Sequence, residues 1–300
     1  MNKLMMKLLA MKIRHEWGKN DKKRDKDKSI PSDIKVTDKI SYGPYGKYNK
    51  LAIYRKRDSL DKVLPCIVIF HGGGFFYGTK EVYQYYAADL AQRGFVVINF
   101  NYRLAPENPY PRQLEDINAA MTWLNQNAQN NKIDLNNLFF VGDSAGGNLV
   151  YTYTVLLTNP DFAKYYKFQL PQGIKPKAIA INCGVCDFEL IDKESQEQAM
   201  LAAYMGENWR SKYIEELRVK NFLTRDFPAT YIVSASKDFL LYQFQPLVDL
   251  FNSKGIPCKA NVYGKEDDES AVHVFHVNVH TPLADQCNDD ECNFFKTFVR

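Results

Sequence analysis

The sequence predicts an α/β protein whose mostly parallel sheet is covered by helices on both faces. Two observations favour this architecture: short apolar runs recur along the chain, and helical patterns separate them. Strands that are apolar over their whole length are buried on both faces, as in parallel sheets between helical layers. The predicted strands cover residues 66–70, 95–100, 138–142, 178–182, 230–235 and 258–263.

In chain order these strands read CIVIF, FVVINF, LFFVG, AIAIN, TYIVSA and CKANVY. The helical patterns between them include VYQYYAADLAQRG, LEDINAAMTWLNQNA and FQPLVDLFNSKG. Strands that alternate with helices of this length predict parallel neighbours joined by crossover helices.

Composition indicates an ordinary globular chain. Its 300 residues are 45% hydrophobic and 25% charged, which is enough for one large domain with a full core. The formal net charge is only +4, and much of the basic excess lies in KNDKKRDKDK at residues 19–28, where acids are interleaved. We interpret that run as a solvated linker and expect no nucleic-acid partner.

The amino-terminal segment MNKLMMKLLAMKI does not have the pattern of a targeting signal. Lys3, Lys7 and Lys12 interrupt it, and no apolar run reaches the roughly seven residues that a signal core requires. We therefore predict a cytoplasmic protein.

The apolar residues of the same segment, Leu4, Met5, Leu8 and Met11, fall on one helical face. Two interpretations are open: a basic amphipathic helix that lies on a membrane, or a helix packed on its own domain. The stretch is short and has no aromatic anchor, which favours packing on the domain. No stable membrane insertion is expected.

The six cysteines do not favour a disulfide framework or a metal site. Cys183 and Cys186 form a CxxC, but it follows a strand pattern and there is no second CxxC. Cys287 and Cys292 lie close in sequence without a further motif. With no secretory signal, reduced thiols are expected.

The stretch IVIFHGGGFFYGTK at residues 67–80 ends a predicted strand with a run of glycines. Such glycines let backbone N–H groups approach an anion closely. A Walker phosphate loop does not fit, because Gly78 is followed by Thr79 and then Lys80, the wrong order. A dinucleotide fingerprint fails as well, because its third glycine would fall on Tyr77.

A second motif, Gly142 to Gly146, fits G-x-S-x-G at the junction of a strand and a helix. The residues that flank Ser144 must be small, because a side chain there would collide with the neighbouring strand or helix. Ser144 would then be exposed at the tip of the turn, near a helix N-terminus that favours negative charge. Asp143 beside it is expected to support the turn through hydrogen bonds.

Three motifs together resemble a known family. HGGGF at 71–75, YRLAPE at 102–107 and GDSAGGN at 142–148 are similar, in order and spacing, to those of the hormone-sensitive-lipase branch of the α/β-hydrolase carboxylesterases. The resemblance covers about residues 45–300. It implies an α/β-hydrolase fold with an eight-stranded sheet, a helical cap drawn partly from the N-terminal arm, and no cofactor. It also implies a small-molecule ester substrate of short to medium acyl length, and it allows a homodimer.

The family's oxyanion hole consists of backbone amides from the glycine run and from the residue after the nucleophile. Carried over to this chain, these are the amides of Gly73, Gly74 and Ala145. The anion that the glycine loop receives would then be a transient tetrahedral intermediate.

A serine hydroxyl needs a base, and hydrolases of this fold run in the order serine, acid, histidine. Of five histidines, His15 lies in the arm and His71 in the glycine loop, which leaves the cluster at 273, 276 and 280. His273 best matches the family's histidine-any-phenylalanine pattern, and His276 is the alternative.

For the acid, Asp238 matches the family's aspartate-any-leucine motif after a predicted strand. Asp187, which follows the strand at 178–182, is the alternative, although a structural role beneath the cap is favoured. Arg103 and Glu107 are interpreted as buried ion-pair or loop-bracing residues.

A metal site is a further alternative for the histidine cluster. If residues 273–280 formed one helix, the three histidines would share a face and, with Asp267 or Glu269, could hold a metal. The valines of that segment disfavour an uninterrupted helix, so we expect no metal.

Residues 188–222 break the alternation of strands and helices with a long, helical and aromatic insertion. An insertion there would cover the carboxyl ends of the strands, where such sheets bind ligands. We expect an arm at residues 1–45 that contributes to the cap, and a hydrolase domain at 46–300 with a cap insertion at 188–222. Phe75, Phe76 and Tyr77 are expected to line the floor of the pocket.

The predicted function is a serine carboxylesterase with Ser144 as nucleophile, His273 as base and Asp238 as acid. An aryl formamidase or a peptidase on the same scaffold would use the same residues. A non-catalytic small-molecule receptor is the remaining alternative, as in the plant gibberellin receptors that resemble this family but lost the catalytic histidine. The presence of His273 favours an enzyme.

Overall fold

The computed structural model describes residues 3–192, 195–206 and 208–300 and contains an eight-stranded sheet. The strands are β1 (Ile34–Ser41), β2 (Lys50–Lys56), β3 (Leu64–Phe70), β4 (Val96–Phe100), β5 (Ile133–Asp143), β6 (Ala178–Asn182), β7 (Ala229–Ala235) and β8 (Cys258–Tyr263). Their order across the sheet is β1-β2-β4-β3-β5-β6-β7-β8. Strands β3 to β8 are parallel, whereas β1 pairs antiparallel with β2 and β2 antiparallel with β4. The predicted mostly parallel α/β sheet is confirmed.

The antiparallel edge formed by β1 and β2 was not predicted by apolar runs. β1 reads IKVTDKIS and is exposed at five of its eight positions, whereas β2, KLAIYRK, is buried at five of its seven positions and has a lysine at each end. Charged, partly exposed strands are typical of sheet edges, where they discourage aggregation. Since β1 belongs to the sheet, the prediction that the whole of residues 1–45 forms an arm of the cap is wrong for residues 34–41.

Helices cover both faces of the sheet. They are α1 (Lys3–Arg24), α2 (Gln84–Gln92), α3 (Arg112–Asn127), α4 (Ala145–Thr158), α5 (Pro160–Ala163), α6 (Gln196–Met205), α7 (Trp209–Lys212), α8 (Ile214–Leu217), α9 (Phe244–Lys254) and α10 (Pro282–Lys296). Successive residues of β3 point to opposite faces: Cys66 and Val68 join the hydrophobic cluster that contains α3 and α4, and Ile67 and Ile69 join the cluster that contains α2 and α10. The core therefore has one layer on each face of the sheet.

The helix α1 continues into the charged run, so the prediction of a solvated linker is wrong for residues 19–24. Opposite charges are paired there: Arg24 lies 2.9 Å from Asp21 and 2.6 Å from Asp25. The interleaved acids that suggested a linker thus neutralise the basic end of a helix.

The face of α1 that packs on the domain is not the predicted one. Met6, Ala10 and Ile13 are buried. The residues of the predicted face are exposed by 66%, 54%, 55% and 62%, respectively: Leu4, Met5, Leu8 and Met11. Both rows are apolar, and the small Ala10 lets the buried row approach the domain closely. The prediction that the other row packs inward is wrong.

The described residues of the range 188–222 lie between β6 and β7 and form a series of short segments rather than a long helix. Two 3-10 turns, Phe188–Leu190 and Val219–Phe222, flank α6, α7 and α8. Tyr204 of α6 stacks on Phe75 of the glycine loop, with ring centroids 3.9 Å apart. Among the described helices, none combines the length and the apolarity that crossing a bilayer needs.

Candidate active site

The turn that joins β5 to α4 holds Ser144 at its tip. Ser144 has φ 52° and ψ −118°, a backbone conformation that residues with side chains rarely adopt. A Cβ on Gly142 would lie 2.4 Å from the Gly146 carbonyl oxygen, and a Cβ on Gly146 would lie 2.0 Å from the Phe70 carbonyl oxygen. The close approach requires glycine at both positions, in agreement with the sequence analysis.

Asp238 and His273 are brought together at the carboxyl edge of the sheet. Asp238 Oδ1 and His273 Nδ1 lie 2.7 Å apart, and the Asp238 side chain is fully buried. Asp238 also accepts the Leu240 N–H and the Ser234 hydroxyl, each at 2.9 Å. Burial acts to raise the pKa of Asp238, but the hydrogen bond to His273, the charge of His273 when protonated and the Leu240 N–H act together in the opposite direction, so this pKa lies below its ordinary value. The acid is held ionised and oriented toward the imidazole.

Cys183, which begins the CGVC sequence, lies against this acid. Its thiol lies near Asp238, and the ligand atoms of Cys183, Asp238 and His273 lie within 4.8 Å of one another. The thiol acts to lower the pKa of Asp238. Burial raises the pKa of the Cys183 thiol well above its ordinary value, so the thiol stays protonated. This contact was not predicted from the sequence. Cys183 and Asp238 each follow a strand at the same edge of the sheet, and that signal could have found it.

The alternative base, His276, lies in the core. It is fully buried, its ring packs edge-on against Tyr86 at a centroid distance of 5.2 Å, and burial lowers its pKa to about 3. Neither of its ring nitrogens has a hydrogen-bond partner in the described part of the chain. His276 is therefore a neutral core histidine, and it lies outside the wall of the cavity described below.

The alternative acid, Asp187, supports the cap. Its side chain accepts the Glu189 N–H at 2.9 Å at the start of a 3-10 turn, and it pairs with Lys220 at 2.8 Å. This is the structural role that the sequence analysis favoured. Asp187 also lies outside the wall of the cavity.

The helix that would align the three histidines is absent from residues 273–280, where the structure has a 3-10 turn, Phe275–Val277. Two other clusters of metal-ligating types occur in the described ranges: Cys183 with Asp238 and His273, and Asp89 with His280 and Asp285. A cation at the first would compete with the hydrogen bond between acid and histidine. A cation at the second would compete with Arg93, which lies 2.5 Å from Asp89.

The glycine loop and Ser144 line the same cavity. Gly73 and Gly74 have φ values of 110° and 59°, and a Cβ on Gly73 would lie 2.3 Å from the Tyr77 carbonyl oxygen. Within the described ranges, no acceptor is found for the N–H of Gly73 or Gly74. Ala145 is the first residue of α4, where N–H groups lack a partner in the helix.

Tyr83 joins the glycine loop to the turn that carries Ser144. Its hydroxyl accepts the Gly72 N–H at 2.8 Å and donates to Asp143 Oδ2 at 2.6 Å. Burial raises the pKa of Asp143 to about 6, against the effect of the Tyr83 hydrogen bond. The supporting role expected for Asp143 is thus realised through Tyr83, which the sequence analysis did not single out.

A cavity of about 850 Å³ lies over these groups, and both Ser144 and His273 line it. Phe75 and Tyr77 line it as predicted, but Phe76 does not: it is 1% exposed and packs in the core, so that prediction is wrong. Much of the remaining apolar wall comes from α1, the loop after β6, the cap and the loop after β7: Trp17, Val185, Ile191, Met200, Leu201 and Phe239.

Arg14 of α1 attaches the helix beside the cavity. Its guanidinium donates to both carboxylate oxygens of Glu107, at 2.9 and 2.7 Å, and to the carbonyl oxygens of Phe76 and Ala105. The other charged residue of the YRLAPE motif, Arg103, is buried and pairs elsewhere, with Asp116 at 2.8 Å and Glu115 at 3.0 Å. Arg103 thus forms the buried pair, and Glu107 braces the loop through the N-terminal helix.

Ser144 lies on a strained strand-to-helix turn at the carboxyl edge of a parallel sheet. In hydrolases this arrangement is known as a nucleophile elbow. Comparison with protein families agrees, since the model of the α/β hydrolase fold matches residues 67–277. The chain therefore belongs to the α/β-hydrolase fold family.

Curated relatives align over parts of the chain. Probable carboxylesterase 6 of Arabidopsis thaliana is 42% identical over 105 residues, 33% of this chain and 31% of that protein. Esterase LipC of Mycobacterium tuberculosis is 26% identical over 156 residues, 52% of this chain and 38% of that protein. The chain thus spans about a third of the length of these relatives.

Solved structures share the fold over nearly the whole chain. Esterase B from Lactobacillus rhamnosis, inhibited by a tributyrin phosphonate, has a TM-score of 0.89 at 20% identity, covering 99% of this chain and 96% of that one. EstE1, a thermostable carboxylesterase from a metagenomic library, has a TM-score of 0.75 at 17% identity, covering 97% and 98%. At these identities the likeness establishes the fold alone.

Proposed function

We propose that this protein is a serine carboxylesterase that hydrolyses esters of short to medium acyl chains. The observation that carries the proposal is the 2.7 Å hydrogen bond between Asp238 and His273, beside a cavity that Ser144 also lines. A serine hydroxyl is a weak nucleophile near neutral pH and needs such a base, oriented by an acid. The named esterases among the relatives support the same reaction class.

In the first half of the reaction, the Ser144 oxygen attacks the ester carbonyl carbon while His273 takes the hydroxyl proton. Asp238 keeps the proton on Nδ1, which leaves Nε2 free to accept. The carbonyl oxygen becomes an oxyanion and accepts hydrogen bonds from the N–H groups of Gly73, Gly74 and Ala145. The carbon–oxygen bond to the alcohol then breaks, the alcohol leaves with the proton from His273, and the acyl group stays on Ser144.

Water completes the reaction by attacking the acyl enzyme. His273 takes a proton from the water as its oxygen adds to the acyl carbon, and the same N–H groups receive the second oxyanion. Collapse releases the carboxylic acid and returns the proton to the Ser144 oxygen. Losing one oxyanion donor typically costs ~3 kcal/mol of transition-state stabilisation, so the glycine loop matters nearly as much as the side chains.

We also propose that α1 and residues 188–222 act together as the cap that limits acyl length. Trp17 of α1 and Met200 of α6 both come close to Gly74: a Cβ there would lie 3.4 Å from Trp17 and 2.4 Å from Met200. Trp17 also packs edge-to-face on Tyr77, with centroids 5.9 Å apart. Because these side chains limit the space for the acyl chain, we expect activity to peak with short esters and to fall with long ones.

The test is hydrolysis of p-nitrophenyl esters of increasing chain length, combined with labelling by a fluorophosphonate probe. Wild type and the control Ser253→Ala, at an exposed serine on α9, should turn over acetate or butyrate esters and bind the probe. Ser144→Ala should do neither while keeping its circular dichroism spectrum. Turnover or labelling that persists in folded Ser144→Ala would refute the proposed function.

A further inference from the structure

The outward face of α1 is apolar for its first three turns and basic thereafter. Leu4, Leu8 and Met11 recur at helical spacing and are 66%, 55% and 62% exposed. The same row of the helix continues with further exposed residues: His15, Lys19 and Lys22. A helix face that meets only water is ordinarily polar along its length, so we take the three apolar turns as a contact surface.

The opposite face of α1 is held by specific contacts, so this outer row cannot turn inward. Arg14 forms two charge-assisted hydrogen bonds with Glu107, and Trp17 packs on Tyr77. Ala10 is buried between them and the start of the helix. The outer row is therefore a fixed feature of the folded protein.

The charge around the outer row selects among partners. Residues 3–15 contain no aspartate or glutamate, and the exposed Lys7 and Lys12 flank the apolar turns. The first acid along the helix, Glu16, lies 3.9 Å from Lys12. A second copy of the chain that docked on this face would bring like charges together, whereas an anionic surface would complement them.

We propose that the outer row docks α1 on the surface of a membrane that contains anionic phospholipid. The helix lies parallel to the surface, with Leu4, Leu8 and Met11 at the boundary between headgroups and acyl chains and with Lys19 and Lys22 at the phosphates. The helix does not cross the bilayer. Because its inner face lines the cavity, docking brings the cavity wall to about one helix diameter, ~10 Å, from the lipid.

Flotation of the full-length protein with vesicles tests the proposal without reference to catalysis. At low salt the wild type should float with vesicles of equal parts phosphatidylglycerol and phosphatidylcholine, and far less with phosphatidylcholine alone. Added salt should release it, because each lysine at an anionic surface strengthens binding about fivefold. Leu4→Gln/Leu8→Gln/Met11→Gln keeps helix propensity and should weaken binding at least about tenfold.

Matched controls separate the outer row from general surface effects. Val63→Gln/Val262→Gln/Val299→Gln removes three exposed apolar residues that lie elsewhere, and it should bind as wild type. Lys175→Glu/Lys177→Glu should bind better than Lys19→Glu/Lys22→Glu, although both change the charge equally and all four lysines are exposed.

Three outcomes would overturn the proposal. The first is that the wild type does not float with anionic vesicles, and the second is that the outer-row and control variants bind vesicles equally. The third is that the wild type is a dimer and the outer-row variant a monomer in analytical ultracentrifugation, while neither binds vesicles. The last would assign the row to a second copy. Hydrolysis of p-nitrophenyl acetate, measured on each variant, reports separately on the proposed esterase function, because the outer row does not line the cavity.

Discussion

Glu291 on α10 is a buried carboxyl whose ionisation should weaken the fold as pH rises. It accepts hydrogen bonds from the Tyr86 hydroxyl at 2.8 Å and the Asn182 side-chain amide at 2.7 Å. Burial raises the pKa of Glu291 from 4.5 to about 7, although both hydrogen bonds act in the opposite direction. Asn182 also accepts the Ser144 N–H at 2.9 Å through its carbonyl oxygen. The carboxyl thus lies next to the strand that supports the serine turn.

A carboxyl whose pKa is higher in the folded than in the unfolded protein stabilises the fold only while it is protonated. The contribution of Glu291 is fully present below pH 4.5, falls as pH rises toward 7 and is absent above it. Displacing the pKa from 4.5 to about 7 corresponds to about 3 kcal/mol of unfolding free energy. The wild type should lose about this amount through Glu291 between acidic pH and pH 8.

Glu291→Gln removes the titration and keeps the shape. The buried Asn182 Oδ1 has no hydrogen-bond partner in the described part of the chain, so rotation of that amide gives the new Nε2 an acceptor. Urea unfolding should show the variant gaining about 3 kcal/mol relative to wild type between pH 4.5 and pH 8. The exposed Glu266→Gln serves as control and should track the wild type. If the difference between Glu291→Gln and wild type is the same at both pH values, the reasoning is refuted.

Three further predictions test the proposed site. His273→Ala should lower kcat for p-nitrophenyl butyrate by roughly three orders of magnitude or more. His276→Ala should stay active and unfold at a lower temperature than the wild type. The reverse pattern would move the base to His276. Cys183→Ala removes a neighbouring thiol that acts to lower the pKa of Asp238, so the acidic limb of the pH profile of kcat/KM should move to higher pH. Cys183→Ser should restore the wild-type profile, and identical profiles for wild type and Cys183→Ala would contradict this role of the thiol. Arg14→Ala should lower Tm by about 3 °C and raise the ratio of long-ester to short-ester turnover. Lys12→Ala, at an exposed lysine of the same helix, should change neither quantity. If Tm and the ratio are unaltered in Arg14→Ala, α1 has no part in forming the cavity.

The parallel part of the sheet could be predicted because its strands are buried on both faces and therefore read as continuous apolar runs. The strands β1 and β2 could not, because charged residues interrupt or shorten that pattern: Lys35, Asp38 and Lys39 in β1 and Arg55 in β2. The orientation of α1 failed for another reason. Its sequence has two apolar rows, one with Leu4 and Leu8 and one with Met6 and Ala10, and periodicity alone cannot say which row the domain covers.

Within the candidate site, predictability follows the distance along the chain. The turn around Ser144 was predicted because Gly142 and Gly146 each lie two positions from the serine in sequence, so that the steric requirement is local. Asp238 and His273 are 35 positions apart, and the residues alone left Asp187 and His276 open; the family resemblance favoured the pair that the structure brings together. Cys183 could not be selected because its contact depends on which strands are neighbours.

The position of the glycine loop depends on elements that are distant in sequence, and this makes α1 part of the proposed site. Tyr83 holds Gly72 at one end of the loop, Tyr204 of the cap stacks on Phe75, and Arg14 of α1 binds the Phe76 carbonyl oxygen at 2.9 Å. Under the proposed mechanism, N–H groups of this loop must point at the oxyanion, and a small displacement of such donors is costly. Loss of α1 should therefore reduce turnover even of the shortest esters, which would not need the cap for chain selection.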